Sequence, residues 1–148
     1  MKIVIIGKDD VKQFDDALKT PYSFLRFHSP HCGHCVSMEG AMKGLMEDKN
    51  LKKIDGLTII DAHTDIASKS NHPVCKKHDG RVPAMYFIAE GKDPMEYEGN
   101  RTEDAMAAHI LEKIGGMSGG KKRKTRKHKK KAKKAHKKKT HKRKPKRK

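Results

Sequence analysis

The chain has 148 residues and a formal net charge of +18 at pH 7, and that charge is concentrated at one end. Residues 121–148 hold 20 Lys or Arg, no acid and no apolar side chain larger than Ala, which excludes a hydrophobic core there. The first 120 residues hold the other 16 basic residues and all 18 acids, so they are close to neutral and of a size for one domain with one core.

The opening MKIVIIGKDD offers only Ile3 to Ile6 as an apolar run, short of the roughly 7 to 15 residues of a secretory signal. Nothing approaches the roughly 18 apolar residues of a membrane helix, and the chain ends in PKRK rather than in an endoplasmic-reticulum retention sequence. The expectation is a protein kept in a reducing compartment, the cytoplasm or nucleus. Three cysteines are an odd number and too few for a disulfide scaffold, so their purpose is chemical or, in one case, incidental.

In chain order, KIVIIG reads as a short strand closed by Gly7. The following DDVKQFDDALK places Val11, Phe14 and Leu18 at helical spacing, with Asp9 or Asp10 as cap. YSFLRF (22–27) is strand-like and runs into FHSPHCGHC, residues 27–35, beyond which Met38, Met42, Leu45 and Met46 form the stripe of an amphipathic helix. LTIID (57–61) is a third strand, followed by a helical segment containing Cys75. AMYFIA (84–89) and PMEYEG (94–99) then form a hairpin through the turn EGKD. Thr102 caps a last helix, with Ala105, Met106, Ile110 and Ile114 facing inward and Gly115 as its stop. This alternation predicts an α/β fold, a central mixed sheet with helices on both faces. The domain is expected over residues 1–115, a Gly-rich joint over 116–120 and a disordered tail over 121–148.

The Cys-Gly-His-Cys run therefore lies at a strand-to-helix junction, beyond the carboxyl end of a strand, where such sheets carry their chemistry. Two cysteines separated by two residues at a helix start can close a disulfide. The thiolate of Cys32, favoured by free helix N–H groups, is the species that attacks disulfides, and Cys35 is placed to resolve the mixed intermediate. The intervening Gly33-His34 pair modifies the poise: a protonated His34 adds positive charge beside the thiolate and makes the couple more oxidising.

These residues resemble the thioredoxin-like family and, within it, the active site of protein disulfide isomerases. The features that carry the resemblance are Phe27, Pro30, Cys32-Gly33-His34-Cys35, RVPAMYFI with Pro83 after Val82, and Tyr97-x-Gly-x-Arg101, and it covers roughly residues 1–115. It implies a thioredoxin-like fold, thiol-disulfide exchange or isomerisation on protein cysteines, and no cofactor or metal. It also implies a cis Pro83 that presents substrate backbone, and an Arg101 whose charge tunes Cys35. The family's acid six residues before the first cysteine, a proton shuttle, is here Arg26, which cannot act as a base. Water, Asp61 or His28 would have to serve instead, unless Arg26 simply snorkels from the sheet edge. His31 stands where a Trp commonly precedes the first cysteine, and Gly40 replaces a helix-bending proline.

A metal site is the rival chemistry, with His28, His31, Cys32, His34 and Cys35 as ligand types and His72-x2-Cys75-x2-His78 as another set. The strand-to-helix context and Pro83 favour redox. Cys75 reads as a partly buried small residue, and Arg101 as tuning residue or as a surface partner of Glu103 or Asp104. The tail carries no aromatic, so its contacts would be to phosphates, independent of sequence and sensitive to salt. DNA or RNA is the expected partner, with nuclear targeting, acidic membrane or acidic protein as other roles. Such basic ends are also similar to those of many proteins of large double-stranded DNA viruses, which implies a virion location. The alternative function is a non-catalytic nucleic-acid-binding or virion-packaging protein with a degenerate head. A monomer is expected.

Overall fold

The computed structural model describes residues 1–117; the remainder of the joint and the basic tail lie outside the described residues, and so do the expectations that fall on them. Five strands, β1 (Lys2–Ile6), β2 (Tyr22–His28), β3 (Leu57–His63), β4 (Ala84–Ala89) and β5 (Met95–Glu96), form one sheet in the order β1-β3-β2-β4-β5. β1 and β2 run parallel to β3, β4 pairs antiparallel with β2, and β5 pairs antiparallel with β4. The helices are α1 (Val11–Ala17), α2 (Gly33–Ser37), α3 (Glu39–Glu47), α4 (Lys49–Lys52), α5 (Pro73–Lys77) and α6 (Glu103–Met117), with a 3-10 turn at Thr64–Ser68.

Strand side chains alternate between faces, and both faces are covered. Leu25, Phe27, Ile60, Ala62, Tyr86 and Ile88 meet Phe14 of α1 and Val74 of α5 on one side. Phe24, Ile59, Met85 and Phe87 meet Met42 and Leu45 of α3 and Met106 and Ile110 of α6 on the other. The mixed sheet with helices on both faces is the expected architecture. The methionine stripe is core, as Met38, Met42 and Leu45 are all buried.

Several local expectations are corrected. Asp10 occupies the cap position of α1, but its carboxylate turns back to accept from Gly7 N at 3.2 Å and gives the helix no side-chain cap. The helix after the cysteines is broken at Met38, whose φ of −97° and ψ of 7° separate α2 from α3. PMEYEG keeps only two strand residues. Pro94 has no N–H for a ladder, and the Tyr97 ring turns into the core, its hydroxyl donating to Asn100 O at 2.6 Å. Gly115 does not stop α6. Neither it nor Gly116 takes the positive φ a glycine stop requires, so the helix continues to Met117, and Ala107 rather than Ala105 is buried on it. The short α4, capped by Asp48 Oδ1 accepting from Asn50 N and Leu51 N at 2.8 and 2.9 Å, had no expectation, nor did the 3-10 turn.

Candidate active site

β2 delivers the chain to the site. Beyond His28, Ser29 organises the approach: its Oγ accepts from His31 N at 3.3 Å and its carbonyl from Cys32 N at 3.2 Å. Cys32 becomes the N-cap of α2 in extended backbone, its Sγ accepting from Cys35 N at 3.1 Å. That bond satisfies an N–H that the helix start leaves free, and it points a donor at the sulfur that would carry negative charge on reduction. Cys32 and Cys35 are joined as a disulfide, with Cα atoms 5.2 Å apart. The two sulfurs are unequal in access: Cys32 is half-buried, whereas Cys35 is 1% exposed.

The other wall comes from the loop before β4. The Val82–Pro83 peptide bond is cis, and Cys32 Sγ lies 3.5 Å from the Val82 carbonyl oxygen. Gly33 and His34 are exposed on the outer side of the pair, and the Cβ of any residue at 33 would meet nothing within 4 Å. Structure thus gathers Cys32, Gly33, His34, Cys35 and Pro83 in one place. Arg101 is exposed, and among the described residues no hydrogen bond or ion pair ties it to the disulfide, to Glu103 or to Asp104. Within Tyr97-x-Gly-x-Arg101, the first two fixed positions have a packing reason. A Cβ at Gly99 would sit 2.7 Å from the ring of Tyr97, which is buried edge-on to Phe24 and His109.

The residue that sequence reasoning misplaced is Arg26. It does not snorkel from an edge: β2 is the middle strand, and the arginine side chain is fully buried. Its Nε and Nη2 donate to the two oxygens of Asp61, its cross-strand neighbour on β3, at 2.8 and 2.7 Å. Nη1 donates to the Cys35 carbonyl at 3.2 Å, and Nη2 also reaches Glu39 Oε1 at 3.0 Å. Burial opposes the guanidinium charge, but Asp61 and Glu39 more than offset it, so its pKa moves upward. His28, on the same face two residues along, places Nε2 3.5 Å from Asp61 Oδ1. Burial pushes its imidazole below the ordinary value, against the pull of Asp61 and Glu39. The available signal was period two: Arg26 alternates with core residues in the middle of an apolar strand, as Asp61 does in LTIID.

Among the described residues, no three His, Cys, Asp or Glu side chains are grouped so as to hold a metal ion. His72 Nδ1 accepts from Val74 N to cap α5, while His78 stacks on Phe27 at 4.4 Å and meets Thr64 Oγ1 with Nε2 at 3.0 Å. Cys75, between them, is buried, and burial raises its thiol pKa.

Comparison with known proteins agrees with this geometry. The thioredoxin family model matches residues 6–112. A protein disulfide-isomerase of Zea mays is 30% identical over 112 residues, 74% of this chain and 21% of that protein. A thioredoxin domain-containing protein 5 homolog of Drosophila melanogaster is 25% identical over 113 residues, 75% of this chain and 26% of that one. The chain thus matches only about a fifth to a quarter of the length of these relatives. Among solved structures, the J-Trx1 fragment of ERdj5 superposes with a TM-score of 0.57 at 21% identity, over 75% of this chain and 52% of that one. The first thioredoxin domain of mouse protein disulfide-isomerase A4 gives 0.54 at 21% identity, over 68% and 69%. These structural likenesses establish the shared fold.

Proposed function

The chain belongs to the thioredoxin family, and from that premise we propose that it is a thiol-disulfide oxidoreductase or isomerase acting on protein cysteines, tethered by its basic tail to nucleic acid or another polyanion. The observation that carries the redox reading is the asymmetry of the Cys32–Cys35 disulfide, one sulfur reachable beside Val82 and Pro83 and the other buried under α2.

In this reading the Cys32 thiolate, with the Cys35 N–H aimed at it, attacks a substrate disulfide and Cys35 then displaces the substrate. Gly33 leaves the outer side of the pair open to a macromolecular partner, and His34 adds positive charge beside Cys32 when its ring is protonated. Pro83 and the preceding Val82 offer backbone to an extended substrate segment, and Arg101, from its exposed loop, approaches to tune Cys35.

The test is turnover of a disulfide-containing protein by the full-length chain against Cys32→Ser. Activity is expected only in the parent. Equal rates return the protein to the reading of a non-catalytic binding or packaging component, the one suggested by a basic tail of the kind found in large DNA viruses. For the tail, engagement of about half its charges predicts a log-log salt slope of roughly −7 to −9 for nucleic-acid binding. Deletion of residues 121–148 is expected to abolish retention on DNA and RNA and leave disulfide turnover intact. An unchanged gel shift would remove the nucleic-acid role.

A further inference from the structure

The helix that carries the cysteines ends after five residues, and no proline stands at its end: the break falls at Met38, between Ser37 and Glu39. Gly40 lies inside α3 and takes no positive φ. An abrupt interruption of this kind calls for a group inserted into the hydrogen-bond ladder, and that group is the Arg26 guanidinium. In a continuous helix the Cys35 carbonyl would accept from Glu39 N–H. Instead it accepts from Met38 N at 3.3 Å and from Arg26 Nη1 at 3.2 Å. Nη2 of the same side chain lies 3.0 Å from Oε1 of Glu39, the first residue of α3. One guanidinium thus closes the end of α2 and holds the beginning of α3.

Little else fixes α2. A five-residue helix is far below the roughly 12–15 residues at which a helix begins to hold by itself, and Gly33, His34, Val36 and Ser37 are all exposed. Its other hydrogen bonds stay within the segment: Val36 N donates to Cys32 O at 3.1 Å, Ser37 Oγ to Gly33 O at 2.9 Å and Cys35 N to Cys32 Sγ at 3.1 Å. Among the described residues, the bond from Arg26 Nη1 is the only hydrogen bond between α2 and the sheet. Its far end is firmly held, because Arg26 is fully buried on the middle strand and forked onto both oxygens of Asp61 at 2.8 and 2.7 Å. The backbone of Cys35 is therefore placed by β2 and β3 rather than by α3.

We propose that Arg26 is a positioning residue for Cys35: by taking the Cys35 carbonyl it breaks the active-site helix, and so sets where Cys35 stands when the mixed disulfide is resolved. This rests on the oxidoreductase reading above. In that step the Cys35 thiolate attacks Cys32 Sγ, the bond between Cys32 Sγ and the substrate sulfur breaks, and the substrate leaves as a thiolate carrying the electron pair. Arg26 exchanges no proton in the step, since a guanidinium stays charged, and it acts only through the carbonyl it holds. While the mixed disulfide stands, no bond joins Cys32 to Cys35, and the Arg26 contact keeps α2 in register with the sheet. Without it the Cys35 carbonyl is open to Glu39 N–H, α2 runs on into α3, and Cys35 shifts with the rebuilt turn.

The experiment is a single turnover of the reduced full-length protein, in a Cys75→Ala background, with an aromatic disulfide whose released thiolate is coloured. The first release reports attack by Cys32 and the second reports resolution by Cys35. Absence of the first release in the parent would sink the oxidoreductase reading itself. Given a first release, the double change Arg26→Met with Asp61→Leu leaves no lone buried charge, because the half-exposed Glu39 returns to water. It should lower the ratio of the second rate to the first by about a hundredfold, the loss that a small misplacement of a reacting group brings. Adding Gly40→Pro then separates position from charge. A Cβ at residue 40 meets nothing within 4 Å, and a proline there clashes with the Val36 carbonyl of a continuous helix, so the break returns without the guanidinium. The ratio is expected to recover in this triple variant. A double variant that keeps the parent ratio, or a triple variant that recovers none of the loss, overturns the proposal. Should the double variant fail to fold, NMR of the reduced parent decides: a through-bond coupling between Arg26 Nη1 and the Cys35 carbonyl carbon supports the proposal, and its absence overturns it.

Discussion

Arg26 and Phe27 are consecutive residues of the central strand, and both are fully buried, yet they enter different worlds. Phe27 meets Phe14 and Tyr86 at ring centroid distances of 6.0 Å each and stacks on His78. Arg26 points to the opposite face and meets two carboxylates and a carbonyl. One face of the sheet is thus held by area removed from water, and part of the other by a charge network whose stabilisation depends on every member being present. The ionic part is the part that lies beneath the cysteines.

The largest effects should separate the two faces. Phe27→Ala removes a packed aromatic and is expected to cost about 3–5 kcal/mol, measured by urea denaturation of the oxidised protein. Asp61→Asn leaves Arg26 buried without its main partner and should cost a similar amount, about 3–5 kcal/mol. The double change Arg26→Met with Asp61→Leu distinguishes them. It should recover most of that loss, because a buried ion pair can be replaced by apolar side chains at little cost. Should the double variant remain as unstable as Asp61→Asn, the cluster is structural and the contrast between the faces collapses.

A substitution of middle size tests packing away from the ions. At Gly99, a methyl group would enter the Tyr97 ring, which is buried and held by Phe24 and His109 and cannot easily yield. Overpacking of this kind should cost about 1–3 kcal/mol in Gly99→Ala, read as a lower urea midpoint. The Tyr97-x-Gly element, met in the sequence as part of an active-site resemblance, is on this account a packing device.

What could be read from the sequence divides along the same line. The strands and the two-faced architecture followed from apolar spacing, because burial acts on each residue by its own side chain. β4 was legible to the residue and β2 to within one. The Cys32-to-Cys35 run pointed to redox rather than metal chemistry only through its strand-to-helix context and the downstream Pro83. Arg26 was misread because its meaning lies in Asp61, 35 residues away, and only strand order brings the two side by side. The break at Met38 and the run of α6 through Gly115 were missed for a different reason: helix ends are decided by small backbone preferences that packing overrides.

The pH dependence of stability puts both faces on one axis. His28, His72, His78 and His109 all have imidazoles pushed below the ordinary value of 6.5 by burial. The unfolded chain therefore binds protons that the folded one does not. Stability should be full above the ordinary imidazole range, fall as pH drops through it toward the lowered folded-state values, and level off below them. The exposed carboxylates with lowered values, such as Asp79, act only in more acidic solution. Thermal melts between pH 8 and about 5 would follow this. His109→Phe, which removes a buried ring nitrogen without a partner, should flatten part of the fall from the apolar side, and His28→Gln another part from the ionic side. Unchanged slopes in both variants would mean that the buried imidazoles do not set the profile.

The smallest expected effect concerns Gly33, on the outer side of the disulfide. A Cβ there meets nothing within 4 Å, and its φ is not positive, so neither space nor backbone demands glycine. Gly33→Ala should therefore raise stability slightly, by about 0.5 kcal/mol, because the unfolded chain loses freedom while the folded one loses nothing. Set against Gly99→Ala, the same change is expected to have the opposite sign. If it does, the glycine between the cysteines serves access to the sulfur rather than packing, and a bulkier Gly33→Val should slow protein substrates more than a small disulfide probe. Equal slowing of both would mean that the side chain disturbs the sulfur pair itself, and the outer side of α2 would cease to be the approach for substrate.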